Sequence, residues 1–150
     1  MIYKSLVTQG GADTFTAATI LTGLTVEGKS GWLIKGLKAF WSNGYTAAAT
    51  DAVTHLVLAT IATITSPNAD DEIARVSWGV QNTAGVAVAF NYEPIKLGIM
   101  QEPRLTVQSD LYVHANTIGT GLTNIIYFEI EYEIVKLTDI EVLRLMVGGA

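Results

Sequence analysis

The chain has 150 residues, 49% of them hydrophobic and 15% charged, and a net charge of −5 at pH 7. That length suits a single domain, 1–150, able to remove roughly 70% of its extended surface from water, and the composition excludes intrinsic disorder, which needs high charge and low hydrophobicity. The acidic balance argues against direct nucleic-acid binding, because a phosphate backbone is held by clustered Lys and Arg and the first thirty residues contain only Lys4 and Lys29.

Without cysteine there can be no disulfide framework, thiolate metal site or cysteine nucleophile. The N-terminus MIYKSLVTQGGADT lacks a basic segment followed by an apolar run. The longest apolar run, HLVLATIATI at 55–64, is shorter than the about 20 residues a membrane-crossing helix needs. The expectation is a soluble protein made in the cytoplasm, with no membrane partner.

Alternating apolar and polar residues, rich in β-branched side chains, predict strands over Thr19–Val26, Trp32–Trp41, Val53–Thr65, Glu72–Gln81, Val86–Tyr92, Ile95–Met100, Arg104–His114 and Ile125–Leu137. Between them lie EGKSG, SNGYTAAATD, SPNADD, NTAG, Pro94, QEP and NTIGTG, each with the Gly, Asn, Asp or Pro that turns require. A short helix follows within 137–147. Thr138-Asp139-Ile140-Glu141 matches a capping box, Ile140, Leu143 and Val147 have helical spacing, and Gly148 and Gly149 end the run. Short strands without alternating helices predict an all-β fold, an eight-stranded antiparallel β-sandwich with a C-terminal helix packed on it. Jelly-roll topology is preferred because eight is its strand count. The immunoglobulin-like alternative lacks its Cys-Trp-Cys pattern.

The last strand, YFEIEYEIVKL, places Glu129, Glu131 and Glu133 on one face and Phe128, Ile130, Tyr132 and Ile134 on the other. Residues two apart on a strand are about 7 Å apart, too far for one metal ion to take two of these carboxylates at ligand distances near 2.4 Å. Three like charges facing water also lack the burial that would raise a carboxyl pKa for acid catalysis. The row therefore reads as a solvated strand face, with a candidate subunit interface, met by basic residues of a neighbouring copy, as the functional alternative. After Ile134 the alternation breaks, which a bulge or the strand's departure from the sheet would explain.

Other constellations carry less. His55 and His114 are the only histidines, too few for a clustered metal site, and Asp110 and His114, about 13 Å apart along a strand, form no dyad. Asn68, Asp70, Asp71 and Glu72 lack EF-hand spacing, and neither phosphate-cradling glycine motif occurs. No nucleophile, base and orienting group come together, so no catalytic, metal or cofactor-binding residue is assigned and no cofactor is expected. Trp32, Trp41 and Trp78, with Tyr45 and Tyr112, supply the aromatics of a carbohydrate-binding module, the alternative functional reading. Trp78 shares parity with Val76 and Val80 and reads as core. Trp32 and Trp41 have opposite parity, so at most one of them faces a ligand.

The final third, PRLTVQSDLYVHANTIGTGLTNIIYFEIEYEIVKLTDIEVLRLM, joins a long strand, a glycine-rich turn, a second long strand with alternating glutamates and a capped helix. It resembles the ends of small virion proteins of phages and environmental or archaeal viruses, of the single jelly-roll capsid type. That resemblance implies a non-enzymatic capsid or capsid-associated subunit in the virion, self-assembling into a multi-copy shell, with copies of itself and other virion proteins as partners. Many coat proteins of this fold bind genome through a basic N-terminal arm, which this chain lacks. Low charge fits the reading, since obligate interfaces are depleted in charged residues.

Overall fold

The computed structural model describes residues 1–11, 14–41, 52–62, 72–83, 86–90, 95–97, 103–119, 123 and 125–148. The side chains at 41, 52, 78, 80–83, 86–90, 95–97, 118 and 148 lie outside that description. Ten strands and one helix follow in order: β1 Ile2–Thr8, β2 Thr16–Leu21, β3 Ser30–Trp41, β4 Ala52–Ala59, β5 Glu72–Thr83, β6 Val86–Phe90, β7 Ile95–Leu97, β8 Arg104–Thr106, β9 Asp110–Ile118, β10 Ile125–Lys136 and α1 Asp139–Gly148.

Two antiparallel sheets face each other. The first has the order β1-β10-β3 with β7 and β8 both on the far side of β3; the second runs β2-β9-β4-β5-β6. β1 pairs with β10 and β2 with β9, so the chain wraps first strand against last and second against next to last. That wrapping is the jelly roll expected from the sequence. β7 meets β3 at 38–40 and β8 meets it at 32–34, so the two lie end to end as one interrupted strand. β6 extends the second sheet beyond the eight jelly-roll positions.

Three elements depart from the sequence expectation. The strand predicted over Thr19–Val26 is β2, Thr16–Leu21, and residues 22–26 lie outside it. β1 was not anticipated, because IYKSLVT carries apolar side chains on both faces: Val7 points into the core, while Ile2 and Leu6 are exposed. The predicted strand Arg104–His114 is in fact β8 in one sheet and β9 in the other. Val107, Gln108 and Ser109 cross between them, held by Thr22, whose hydroxyl donates to the Gln108 carbonyl (2.8 Å) and whose N–H donates to the Ser109 carbonyl (3.0 Å). No Gly or Pro marks this crossing, so the alternation runs through it unbroken. β4 ends at Ala59; the predicted continuation to Thr65 and the SPNADD turn fall largely outside the described residues.

The core between the sheets holds Val7, Ile20, Ile34, Leu37, Leu56, Leu58, Leu111, Val113, Ile126, Phe128 and Ile130, each at most 2% exposed. Burying one such side chain is worth about 1.5–3 kcal/mol. Ile34 and Leu37 are three residues apart yet both face inward. The register shows how: Glu131 opposes Gly36 and Tyr132 opposes Ile34, leaving Lys35 as the extra residue of a β-bulge. Gly31 opens β3 where the chains crowd. A Cβ there would lie 2.9 Å from Leu105 Cδ1 and 3.0 Å from the Thr106 carbonyl oxygen.

The predicted cap is present. Thr138 N–H donates to Glu141 Oε2 (2.7 Å), and Glu141 N–H donates to Thr138 Oγ1 (3.3 Å). The face that meets the sandwich differs from the expected one. Val142 is buried, whereas Ile140, Leu143 and Val147 are 65%, 61% and 89% exposed. Apolar residues at 140, 142, 143, 145, 146 and 147 leave no single stripe, so spacing did not determine which side turns inward.

Candidate assembly face on the first sheet

The outer surface of the first sheet is built from rows that cross β1, β10 and β3. The registers align Leu6 with Tyr127 and Phe40, Lys4 with Glu129 and Lys38, and Ile2 with Glu131 and Gly36. An apolar row therefore lies beside a row of alternating charge. As the alternation predicts, Phe128 and Ile130 point inward, Tyr132 packs against the core, and all three glutamates point outward. Ile134, expected inward, is 49% exposed. Beyond the Lys35 bulge the register runs unbroken to Lys136 with Ile134 opposite the buried Trp32, so Ile134 keeps its parity but is left uncovered near the end of β10.

The glutamate row meets lysines of its own chain. Lys4 Nζ lies 2.6 Å from Glu129 Oε1, and Lys35 Nζ lies 2.5 Å from Glu133 Oε1. The hydrogen bond from Lys35, and then its charge, hold the Glu133 carboxyl below the usual carboxylate range. The bulge thus gives Glu133 its partner. Glu131 lies beside Gly36, whose missing side chain leaves room for its carboxylate, and has no ion pair among the described residues. An open groove beside the row is lined by Lys4, Leu6, Phe40, Tyr127 and Glu129.

The second sheet presents a different arrangement. His55 Nδ1 is 2.8 Å from Ser77 Oγ, its directly opposite residue on β5, and Phe15 stacks on the ring with centroids 6.5 Å apart. Burial, then the charge of Arg75, lowers the His55 pKa. This serine–imidazole contact escaped the sequence reading because 22 residues separate the partners and only strand register joins them. Asn116, opposite His55 on β9, accepts from Gln9 Nε2 (3.4 Å). His114 contacts the Ile61 carbonyl oxygen (2.9 Å) and not Asp110, as expected from their separation. Burial lowers its pKa as well.

Glu72 chelates Arg75 through both oxygens, at 3.0 and 2.7 Å, while Asn68, Asp70 and Asp71 lie outside the described residues. No group of three metal-ligating side chains occurs among the described residues. Trp32 is 4% exposed and stacks on Tyr132 with centroids 3.8 Å apart, so it is core and not a sugar platform. Tyr112 is half-buried beside His114. Tyr45 and the side chains of Trp41 and Trp78 lie outside the described residues.

No protein family and no curated protein matches the sequence. Among solved structures, the chain is similar to VP1 of the trichodysplasia spinulosa-associated polyomavirus, with a TM-score of 0.52 and 8% identity over 90% of this chain and 96% of that one. It also aligns with Desmodium yellow mottle tymovirus (TM-score 0.36, 12% identity, 91% of this chain and 86% of that one) and with empty-head turnip yellow mosaic virus (0.33, 6%, 91% and 81%). The fold is the jelly roll of the polyomavirus protein; at 8% identity the likeness concerns the fold alone.

Proposed function

We propose that this chain is a non-enzymatic virion structural protein, a capsid or capsid-associated subunit whose copies assemble into a shell. The observation that supports the proposal is the wrapped two-sheet fold, which aligns with polyomavirus VP1 over 96% of that chain at a TM-score of 0.52. The whole of 1–150 acts as one sandwich domain, and its place is the virion. Partners are further copies and other virion proteins, with genome contact left to others because Lys and Arg total only nine against fourteen Asp and Glu.

Within this reading, Glu129, Glu131 and Glu133 form part of a subunit interface. Own-chain lysines neutralise two of the three, which lowers the cost of covering the face, and Glu131 is left to meet a cation of the next copy. Sedimentation velocity and electron microscopy of the purified protein test the assignment. Closed particles of megadalton mass are expected, and a protein that stays monomeric at high concentration overturns it.

A further inference from the structure

We infer that β1 pairs with β1 of a second copy, antiparallel about a two-fold axis at Ser5, so that the first sheet continues from one copy into the next. The inference rests on the proposed joining of copies and names one contact within it. The Met1 ammonium donates to the Tyr132 carbonyl (2.5 Å), and Tyr132 N–H donates to the Met1 carbonyl (3.0 Å). In an antiparallel ladder such exchanging pairs alternate with unbonded ones, so the register turns the backbone groups of Tyr3, Ser5 and Val7 toward β10. The N–H and C=O groups of Ile2, Lys4, Leu6 and Thr8 point the other way, along the free edge of the sheet. They have no hydrogen-bond partner among the described residues.

An open edge is a template for another strand, and proteins that stay apart blunt it with short strands, proline, bulges or unpaired lysine. The opposite edge of the first sheet is blunted, because β7 and β8 share it with three residues each. β1 has none of these guards. It is seven residues long, contains no proline and keeps an unbroken register with β10. Its one lysine, Lys4, is paired with Glu129 at 2.6 Å, and Ile2 and Leu6 are exposed on either side of it.

The strand fits itself in one register. With Ser5 opposite Ser5 of the second copy, Ile2 faces Thr8 and Lys4 faces Leu6, and every free N–H and C=O of the four edge residues is used on both strands. Moving the axis to Lys4 leaves Thr8 unpaired and sets like charges directly opposite; moving it to Leu6 leaves Ile2 unpaired. A whole second copy also suits the edge better than a lone peptide. β2 ends the second sheet and packs beside β1, so both sheets are open on the same side. Stacked sheets keep their strands within about 30° of each other, so an axis normal to the first sheet is close to normal to the second. The copy that extends β1 therefore carries its own β2 toward β2, whereas a single strand would extend one sheet and leave the other open. The contact is isologous, the same patch on both subunits.

With no native cysteine, single cysteines report the register. Ser5→Cys falls on the axis as an unbonded pair with Cα atoms about 4.5 Å apart, within disulfide reach, whereas Ile2→Cys and Thr8→Cys each lie about 20 Å from their own copies. Mild oxidation is expected to cross-link Ser5→Cys at least roughly ten-fold more than either. Leu6→Lys sets a lysine opposite Lys4 of the second copy and should raise the dimer dissociation constant roughly ten-fold at low salt, while Leu6→Glu, facing the same lysine, should leave it near the wild-type value. Circular dichroism of the isolated variants should be unchanged. Equal cross-linking at the three positions, or equal weakening by Leu6→Lys and Leu6→Glu, overturns the pairing. Leu6→Pro gives up an N–H that its own chain does not use; if it blocks assembly although Ser5→Cys does not cross-link, a different strand occupies the edge and the two-fold is overturned. Closed wild-type particles with no Ser5→Cys link and no Leu6→Lys defect overturn the contact and leave the shell reading intact. Cross-linked dimers that never close into particles uphold the contact and remove the shell, and a wild type that stays monomeric at every concentration removes both.

Discussion

Single positions carry conditions that composition does not reveal. Gly31 sits where β3, the end of β8 and Leu137 converge, and a methyl group there would press on backbone as well as side chain. Gly31→Ala is expected to destabilise the subunit by about 1–3 kcal/mol, because the Thr106 carbonyl cannot rotate away as a side chain can; urea unfolding of the variant measures it. His55 and His114 set a pH dependence. Both are held neutral by burial, so their folded pKa values lie below the unfolded value of 6.5. Between that value and the lowered ones the unfolded chain binds more protons, so their contribution is present above pH 6.5 and lost as pH falls. Glu133 and Glu141, with lowered carboxyl pKa values, lose their contributions only below the carboxylate range, near 4.5. Tm should therefore decline as pH falls below 6.5, and His55→Gln should flatten that decline. A decline unchanged in the variant removes His55 from the account.

Elements were legible to the extent that their signal is local. The last strand, its outward glutamates and the Thr138 cap are visible in YFEIEYEIVKLTDIE because period two, a charge row and a capping box are each written in consecutive residues. Thr138→Ala should cost about 0.5–2 kcal/mol, read as a loss of Tm and of helical signal. Three features were hidden, each for a physical reason. β1 is apolar on both faces. The β8–β9 crossing is fixed by hydrogen bonds from Thr22, 86 residues away in the chain. The Lys35 bulge depends on which residue of β10 opposes it. Of the candidate interface, the glutamate row was readable but its lysine partners and the apolar groove were not, since both arise only from the register of β1, β10 and β3.

At the scale of the molecule, the outer face of the first sheet sets Lys4, Lys35 and Lys38 among glutamates, and the other Lys and Arg among the described side chains are Lys29, Arg75, Arg104, Lys136 and Arg144. If this face joins copies, changing Glu129, Glu131 and Glu133 together to Gln should leave the isolated fold intact, because exposed ion pairs add at most about 1 kcal/mol each. Assembly should change, by an amount that shrinks as salt is added. Light scattering across an ionic-strength series decides it: unaltered assembly at every salt concentration excludes the row from the interface. The pairing of β1 with β10 has a further consequence, for the timing of synthesis. Met1 and Tyr132 exchange hydrogen bonds across 131 residues, so β1 leaves the ribosome ahead of a partner translated on the order of ten seconds later. Until then the first sheet cannot close, and the surface that would join one copy to the next does not exist. If copies join through that face, nascent chains on one messenger are thereby kept from joining before each has finished folding.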